Sequence, residues 1–181
     1  PALVAVVRQA QRHEHGPDAH ATMLTLMPMQ IEVDELSRPE VHALLREHLG
    51  NMYELSPPQN VFALDLSSLR APDITFWTVW EDDVLLGCGA LKELTPELGE
   101  VKSMRTPAKL RRRGAGRLVL AHLIGVARQR GYLQLSLETG SNPAFLPAQH
   151  LYQSFGFTYS GPFGSYREDP HSVFMELRLD R

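Results

Sequence analysis

The sequence lacks several features that mark specialised classes of protein. Its one cysteine, Cys88, allows no disulfide within these 181 residues, which favours a reducing, cytoplasmic compartment. No apolar run approaches the roughly 18 residues that a membrane-spanning helix needs, so we expect no association with a membrane. With 18 Lys and Arg against 21 Asp and Glu, the net charge is −3, which argues against a nucleic-acid partner.

A metal-binding pattern is also missing. Near the start of the chain three histidines lie close together, but no cysteine or carboxylate set completes a ligand cage, so we expect no metal. They are His13, His15 and His20. We predict an N-terminal extension at 1–27, followed by one domain at 28–181. This extension is either dispensable or contains a short helix, from Ala2 to about Arg12, that docks on the domain or on a partner subunit. Its apolar run at 2–7 could form a homodimer interface.

The periodicity that is present is typical of a mixed α/β chain. Alternating or β-branched runs predict strands at 30–33, 74–80, 84–91, 100–106, 133–137 and 173–179, and we expect the strand at 133–137 to be half-buried. A capping-box spacing of Ser37 and Glu40 predicts a helix that ends at Gly50, and helices are also predicted at 114–130 and 147–155, with one turn around 61–69. This order predicts a layered α/β or α+β fold with no room for a second nucleotide-binding half.

The densest chemical signal is Arg111-Arg112-Arg113-Gly114-Ala115-Gly116-Arg117, where a predicted strand leads into the long helix. Glycines spaced G-x-G allow close backbone approach, and the first turn of a helix offers free N–H donors with a partial positive charge. Arginine adds forked donors that suit phosphate. The segment therefore predicts a pyrophosphate site, with a solvated basic helix start as the alternative.

Two other phosphate-binding patterns fit less well. The P-loop string G-x-x-x-x-G-K-[ST] does not occur. The dinucleotide fingerprint is nearly met from Gly114 onward, with Glu138 as the acid about 20 residues later. However, Val119 takes the place of a small residue, the segment 107–113 separates the strand from the first glycine, and too few residues follow to complete that fold. A nicotinamide-dependent enzyme stays open as the weaker alternative.

The same segment resembles a known family. Arg111-x-x-Gly114-x-Gly116 matches the [QR]-x-x-G-x-[GA] motif of the GNAT N-acetyltransferases, and the similarity extends over 30–179. Four strings are similar to one bacterial branch of that superfamily: GEVKSMRT (99–106), SLETG (136–140), LYQSFGF (151–157) and DPHSVFM (169–175). The resemblance implies a mixed, mostly antiparallel central sheet, helices on both faces, and two strands that splay apart at an acetyl-CoA site.

By that resemblance, main-chain N–H groups around the motif bind the pyrophosphate of acetyl-CoA, and two positions near the end of the preceding strand bind its pantetheine arm. One N–H there also polarises the thioester carbonyl. The cofactor-binding residues so implied are Met104, Thr106, Arg111, Arg112, Arg113, Gly114, Ala115, Gly116 and Arg117. An asparagine that many family members use for the arm is replaced here by Phe145, and the nearby Asn142 is out of register.

Two side chains take catalytic roles by the same resemblance. Tyr152 matches a tyrosine that protonates the leaving thiolate, with a core aromatic as the alternative. Glu100 has the register of a strand glutamate that acts as general base, with an ion pair to Lys102 as the alternative. Glu138 and Thr139, at the end of the next strand, either face the acceptor or cap the following turn.

The implied activity is transfer of an acetyl group from acetyl-CoA to a primary amine of a small molecule, by direct attack in a ternary complex. Segments 51–65 and 162–171 are expected to line the acceptor pocket and form its walls. Lys102 and Arg105 would give one side of that pocket an excess of positive charge, which suggests an acceptor that bears a carboxylate. A non-catalytic acyl-CoA-binding regulatory module is the alternative from a different class.

Overall fold

The computed structural model describes residues 28–55 and 65–179. The predicted extension at 1–27 and residues 56–64 of the predicted acceptor wall lie outside the described residues. The strands are β1 (Gln30–Val33), β2 (Ile74–Glu81), β3 (Val84–Thr95), β4 (Leu98–Arg105), β5 (Gln134–Gly140), β6 (Thr158–Ser160) and β7 (Ser172–Arg178). The helices are α1 (Pro39–Leu55), α2 (Ala115–Gln129) and α3 (Leu146–Gln153), with short 3-10 turns at Ser68–Arg70, Ala108–Leu110 and Pro143–Phe145.

Within the described part of the chain, seven strands form one sheet in the order β1-β2-β3-β4-β5-β7-β6. The neighbours pair antiparallel except β4 and β5, which are parallel. A parallel pair needs a crossover connection, and α2 supplies it. The expected α/β (α+β) class with a mostly antiparallel sheet is therefore confirmed.

Helices cover both faces of this sheet, as expected. On one face, α1 buries Val41 and Leu44 in a cluster with Phe76 of β2. On the other face, α2 buries Val119 and Leu123 completely, in the larger core cluster that also receives α3. Because each such side chain contributes about 1.5–3 kcal/mol when buried, the two helix layers hold the middle of the sheet firmly. None of the described helices is long and apolar enough to cross a membrane.

The order of the predicted elements is confirmed, but several predicted extents were wrong. Helix α1 does not end at Gly50 and continues to Leu55. Its last turns are attached to the sheet, because Asn51 accepts a hydrogen bond from the Arg105 side chain of β4. Strand β3 runs to Thr95, since it pairs with β4 that far. Strand β6, with three residues, was not predicted because so short a segment carries no periodic signal.

The expectation of a half-buried strand at 133–137 was also wrong. In β5 the polar Ser136 is 1% exposed and Thr139 is 9% exposed, so both sets of alternating side chains are covered. The polar row has partners within the structure, because Gln134 donates to Ser136 Oγ and Glu138 accepts from Ser172 Oγ of β7. Polar residues of β5 therefore face the interior of the molecule.

Gly89→Ala in β3 is expected to destabilise the fold. A Cβ at this position would lie 2.6 Å from Val119 Cγ1 of α2 and 2.8 Å from Met104 Sδ of β4. The helix or the strand would have to shift, which costs about 1–3 kcal/mol in the free energy of unfolding, measurable by chemical denaturation.

The matched control for that variant is Gly125→Ala, in the interior of α2, the helix that packs on Gly89. A Cβ at Gly125 meets nothing within 4 Å. The control should raise the free energy of unfolding by up to about 1 kcal/mol, since alanine has the better helix propensity. If both variants were equally stable, the close packing of α2 on β3 would be contradicted.

Candidate functional site

The site begins where the pairing of β4 and β5 stops. The parallel ladder joins Leu98 to Gln134 and ends at Glu100 and Ser136. Beyond that point β4 stays paired with β3 as far as Arg105, and β5 stays paired with β7 as far as Gly140. The two strands therefore leave a gap in the middle of the sheet, as the resemblance predicted.

A β-bulge shapes the β4 side of the gap. Between the pairs Cys88–Arg105 and Ala90–Lys102, the β4 strand has one more residue than β3. Ser103 has a φ of 53°, and its carbonyl accepts from the Cys88 thiol at 3.4 Å. A bulge takes main-chain groups out of the regular ladder. Main-chain groups around Met104, a predicted pantetheine contact, are therefore placed beside the gap without a full set of strand partners.

The start of α2 lies next to the end of β4. Gly114, at the N-cap, has a φ of 94°, a left-handed conformation that glycine adopts without strain. The first helical bond runs from Leu118 N–H to the Gly114 carbonyl, so the earlier amides have no acceptor within the helix. Thr106 Oγ1 would lie 3.6 Å from a Cβ at Gly116, so these two predicted contacts adjoin each other.

Gly116 tests whether this segment fits a phosphate-bearing ligand. A Cβ there would make only ordinary contacts, at 3.5 Å to Leu151 Cδ2 and 3.6 Å to Thr106 Oγ1. The packing of the protein therefore does not require glycine at this position. A glycine leaves the backbone open to close approach by a ligand, and free amides at the positive end of a helix suit pyrophosphate. The residues present fit the pyrophosphate of acetyl-CoA.

The four arginines of the motif have different partners. Arg113 forms an ion pair with Glu81 of β2. Arg117 stacks on Phe155, with its guanidinium carbon 4.7 Å from the ring centroid. Among the described residues, Arg111 and Arg112 have no such partner and are exposed. The side chains available for a phosphate group are therefore those of Arg111 and Arg112.

On the face of the sheet that α1 covers, a carboxylate lies at the point where the gap opens. Glu100 is 3% exposed, and its Oε1 accepts from Lys102 Nζ at 2.7 Å. The same oxygen accepts from the Tyr166 hydroxyl at 2.6 Å, and Lys102 Nζ also donates to Tyr166 Oη at 2.8 Å. The predicted Glu100–Lys102 pair therefore exists, and it is buried rather than at the surface.

Tyr166 is the site residue that sequence reasoning missed. It comes from the loop between β6 and β7, and its ring packs against Phe163 (centroids 4.9 Å apart) and Phe174 (5.6 Å). The aromatic spacing in this segment was a signal for an ordered loop, but nothing in it pointed to residue 100. Burial and the neighbouring Glu100 charge raise the pKa of the Tyr166 phenol, so it is a proton donor in this contact.

Glu138 brings a second carboxylate to the same face. Its Oε1 accepts from Ser172 Oγ of β7 at 2.7 Å. Burial raises the pKa of Glu138, while Ser172 and the Lys102 charge oppose that rise and the Glu100 charge adds to it. Glu138 therefore lies close enough to Glu100 and Lys102 for their charges to act on it, and its facing an acceptor stays a prediction. Thr139 is buried on the other face of β5.

Tyr152 on α3 lies against β5 from the opposite side. It is 6% exposed, and its ring packs on Phe157 with centroids 5.8 Å apart. Burial raises the pKa of Tyr152, and the charge of Glu138 raises it further, which places the phenol within electrostatic reach of the gap. Within the described residues its hydroxyl makes no hydrogen bond, unlike the hydroxyl of a tyrosine that serves only the core.

Arg105 and Lys102, the two predicted cations, each have a carboxylate partner. Arg105 donates to Glu47 Oε1 of α1 at 2.9 Å, and its Nε is buried without a partner. Beside it, burial and the Arg105 charge lower the pKa of His48 to about 4, so this imidazole is neutral at pH 7. The excess of positive charge predicted for the pocket is therefore largely neutralised by Glu47 and Glu100.

A cleft of about 530 Å³ adjoins this group of side chains, between β6, β7 and the loop that joins them. Its lining includes Pro162, Asp169, Ser172 and Phe174. Ser172 contacts Glu138, and Phe174 packs on Tyr166. The predicted acceptor wall at 162–171 therefore forms part of a cleft beside the two carboxylates.

Asn142 does not reach the gap. Its side chain accepts from the Ala144 N–H at 2.9 Å and caps the short 3-10 turn before α3.

Across the described residues, no group of three or more His, Cys, Asp or Glu side chains is arranged to hold a metal ion.

Comparison with known proteins gives the family. The model of the acetyltransferase (GNAT) family matches residues 38–157. The chain is 54% identical over 151 residues to YsnE of Bacillus subtilis, an uncharacterized N-acetyltransferase, and the match covers 83% of this chain and 100% of that protein.

Solved structures agree. One from Klebsiella pneumoniae, assigned as an acyl-CoA N-acyltransferase, superposes with a TM-score of 0.70 at 30% identity, covering 84% of this chain and 98% of that one. A GNAT acetyltransferase from Elizabethkingia anophelis with acetyl-CoA bound shares the fold, with a TM-score of 0.59 at 16% identity over 83% and 98% of the two chains. These findings identify an acetyltransferase, and the alternative of a nicotinamide-dependent enzyme is therefore wrong. The chain belongs to the GNAT acetyltransferase family and is an acyl-CoA-dependent N-acetyltransferase.

Proposed function

We propose that this enzyme transfers an acetyl group from acetyl-CoA to the primary amine of a small molecule, by direct attack in a ternary complex. The observation that carries the proposal is the gap between β4 and β5, which has free helix amides at one end and a buried carboxylate at the other. In the proposal, residues 28–181 form the catalytic domain and residues 1–27 an extension to it.

Acetyl-CoA supplies the activated acyl group when it is bound. The start of α2 holds its pyrophosphate, with Arg111 as the side chain free to add charge. Main-chain groups at Met104 and Thr106 bind the pantetheine arm. An N–H at the bulge of β4 stabilises negative charge on the thioester oxygen, because a fixed donor away from bulk water needs no reorganisation.

Glu100 acts as the general base in this proposal. An acceptor ammonium must lose a proton before its nitrogen can form a bond to the acyl carbon. Glu100 forms a salt bridge with Lys102 at the mouth of the gap, and its Oε2 has no hydrogen-bond partner among the described residues. That oxygen is available to take the proton, directly or through a water molecule.

Tyr152 acts as the general acid. As the carbon–sulfur bond breaks, negative charge develops on sulfur and is neutralised by a proton from a nearby donor. The raised pKa of Tyr152 keeps its phenol protonated at neutral pH, and its hydroxyl has no competing partner in the described structure. The phenol therefore retains the proton that the leaving thiolate requires.

The acceptor itself is proposed to bear a carboxylate. Arg105 supports this, because its guanidinium lies at the end of β4, on the face of the sheet that α1 covers, and its Nε–H is buried without a partner among the described residues. Glu47 competes for the same guanidinium, so the preference should be modest. The test compares kcat/KM for pairs of amines that differ only in bearing a carboxylate or a carboxamide. Equal values of kcat/KM within each pair would contradict the proposed preference.

Acetyl-CoA should stabilise the protein against thermal unfolding. At 100 times its dissociation constant a ligand adds about 2.7 kcal/mol, which for a domain of this size is a shift in Tm of about 5–10 °C. NAD⁺, NADH and ATP serve as controls and should leave Tm unchanged. A shift with acetyl-CoA but no turnover of any amine would favour the non-catalytic regulatory module.

Tyr152→Phe is expected to lower kcat by about 10²–10⁴-fold, because it removes only the donor oxygen. The dissociation constant for acetyl-CoA should stay within a few-fold of the parent value, which calorimetry would show. An unchanged kcat would remove Tyr152 as the acid.

Glu100→Gln is expected to lower kcat by a similar factor and to abolish the acidic limb of the rate–pH profile, since the amide cannot accept a proton. Acetyl-CoA should still bind. A profile that superimposes on that of the parent enzyme would show that the base is another group or water alone.

A further inference from the structure

Glu100 is held by one of its two oxygens only. Lys102 Nζ at 2.7 Å and the Tyr166 hydroxyl at 2.6 Å both donate to Oε1, and these two groups also bond to each other at 2.8 Å. Three polar groups thus form a closed triangle on a single carboxylate oxygen. Across the described residues, Oε2 receives no hydrogen bond.

The consequence is a fixed carboxylate orientation. A carboxylate rotates readily when its oxygens have equivalent partners, but two donors on one oxygen select a single rotamer. The Lys102 side chain is 9% exposed and that of Glu100 is 4% exposed, so bulk water does not compete strongly for these contacts. Oε2 is therefore the oxygen left for an incoming group.

We propose that Tyr166 and Lys102 are positioning residues for Glu100, which aim Oε2 at the acceptor amine. The inference rests on the proposed role of Glu100 as general base. Tyr166 extends it to the acceptor wall, because Tyr166 belongs to the loop between β6 and β7 and is held there by Phe163 and Phe174. The segment that lines the cleft thereby also orients the base.

Charged and polar groups from three elements surround Glu100, so removing one of them should affect how kcat depends on pH. Glu100 is faced by Lys102 on its own strand, by Glu138 on β5 and by Tyr166 from the loop, while Asp169 acts on Glu138. Lys102 and Tyr166 stabilise negative charge on the Glu100 carboxylate, and Glu138 opposes it. Removing either donor should therefore change the acidic limb of the rate–pH profile as well as kcat.

The test is the rate–pH profile of Tyr166→Phe and Lys102→Met, measured at saturating acetyl-CoA. For Tyr166→Phe we expect kcat about 10-fold lower and a changed acidic limb, with KM for acetyl-CoA unchanged. Lys102→Met removes a full charge and should change the limb more strongly.

Tyr159→Phe is the matched control. Its hydroxyl, on the neighbouring strand β6, donates to Gln149 at 3.0 Å and has no contact with Glu100. This variant loses one hydrogen-bonded phenol oxygen as Tyr166→Phe does, so it should share any loss of Tm but keep the parent kcat and the parent pH profile.

A double variant separates failure of the inference from failure of the proposed function. In a Glu100→Gln background, Tyr166→Phe should have no further effect on kcat, because the two residues act as a unit. If Glu100→Gln lowers kcat but Tyr166→Phe leaves the acidic limb where it was, the inference is overturned and the base stands. If Glu100→Gln has no effect on rate, the proposed base is wrong and the inference falls with it.

Discussion

The structure depends on one interruption in its hydrogen bonding. Strands β4 and β5 pair for three residues and then part, although each remains paired with its other neighbour. Unpaired strand edges inside a protein are costly, because buried main-chain groups need partners. Here the cost is offset by the packing of α1, α2 and α3 on the two faces. In the proposed function the extended pantetheine arm of acetyl-CoA also satisfies the open edge.

The two ends of the gap differ in charge, and this difference orders the chemistry. At the α2 end, left-handed Gly114 and the free first-turn amides present positive potential to an anion. At the other end, Glu100 and Glu138 lie opposite one cation, Lys102, so the acceptor side is suited to a protonated amine. In the proposed function the amine therefore attacks the acyl carbon from the carboxylate side, and Tyr152 donates its proton from the α3 side.

Much of this could be predicted from the sequence, because it depends on local signals. The Arg111–Gly116 motif, the long helix after it and the order of helices and strands along the chain follow from spacing and periodicity, and the structure agrees with them. The mostly antiparallel sheet was implied only by the family resemblance. Other features depend on contacts between segments distant in sequence. Tyr166 lies 66 residues from Glu100, and Asn51 holds the last turns of α1 to β4 across 54 residues. The covered second face of β5 was missed for the same reason, since alternation cannot show that a polar row lies under another layer.

The buried Glu100–Lys102–Tyr166 cluster is better explained by chemistry than by stability. Removing two charges from water costs several kcal/mol per ion, and apolar replacements of similar volume often leave a fold as stable or more so. The cluster lies where the sheet opens, and it leaves one carboxylate oxygen without a hydrogen-bond partner among the described residues. A polar group that serves stability alone usually has all its partners. In the proposed function this oxygen accepts the proton of the acceptor amine, a role that explains both its position at the mouth of the gap and its lack of a partner.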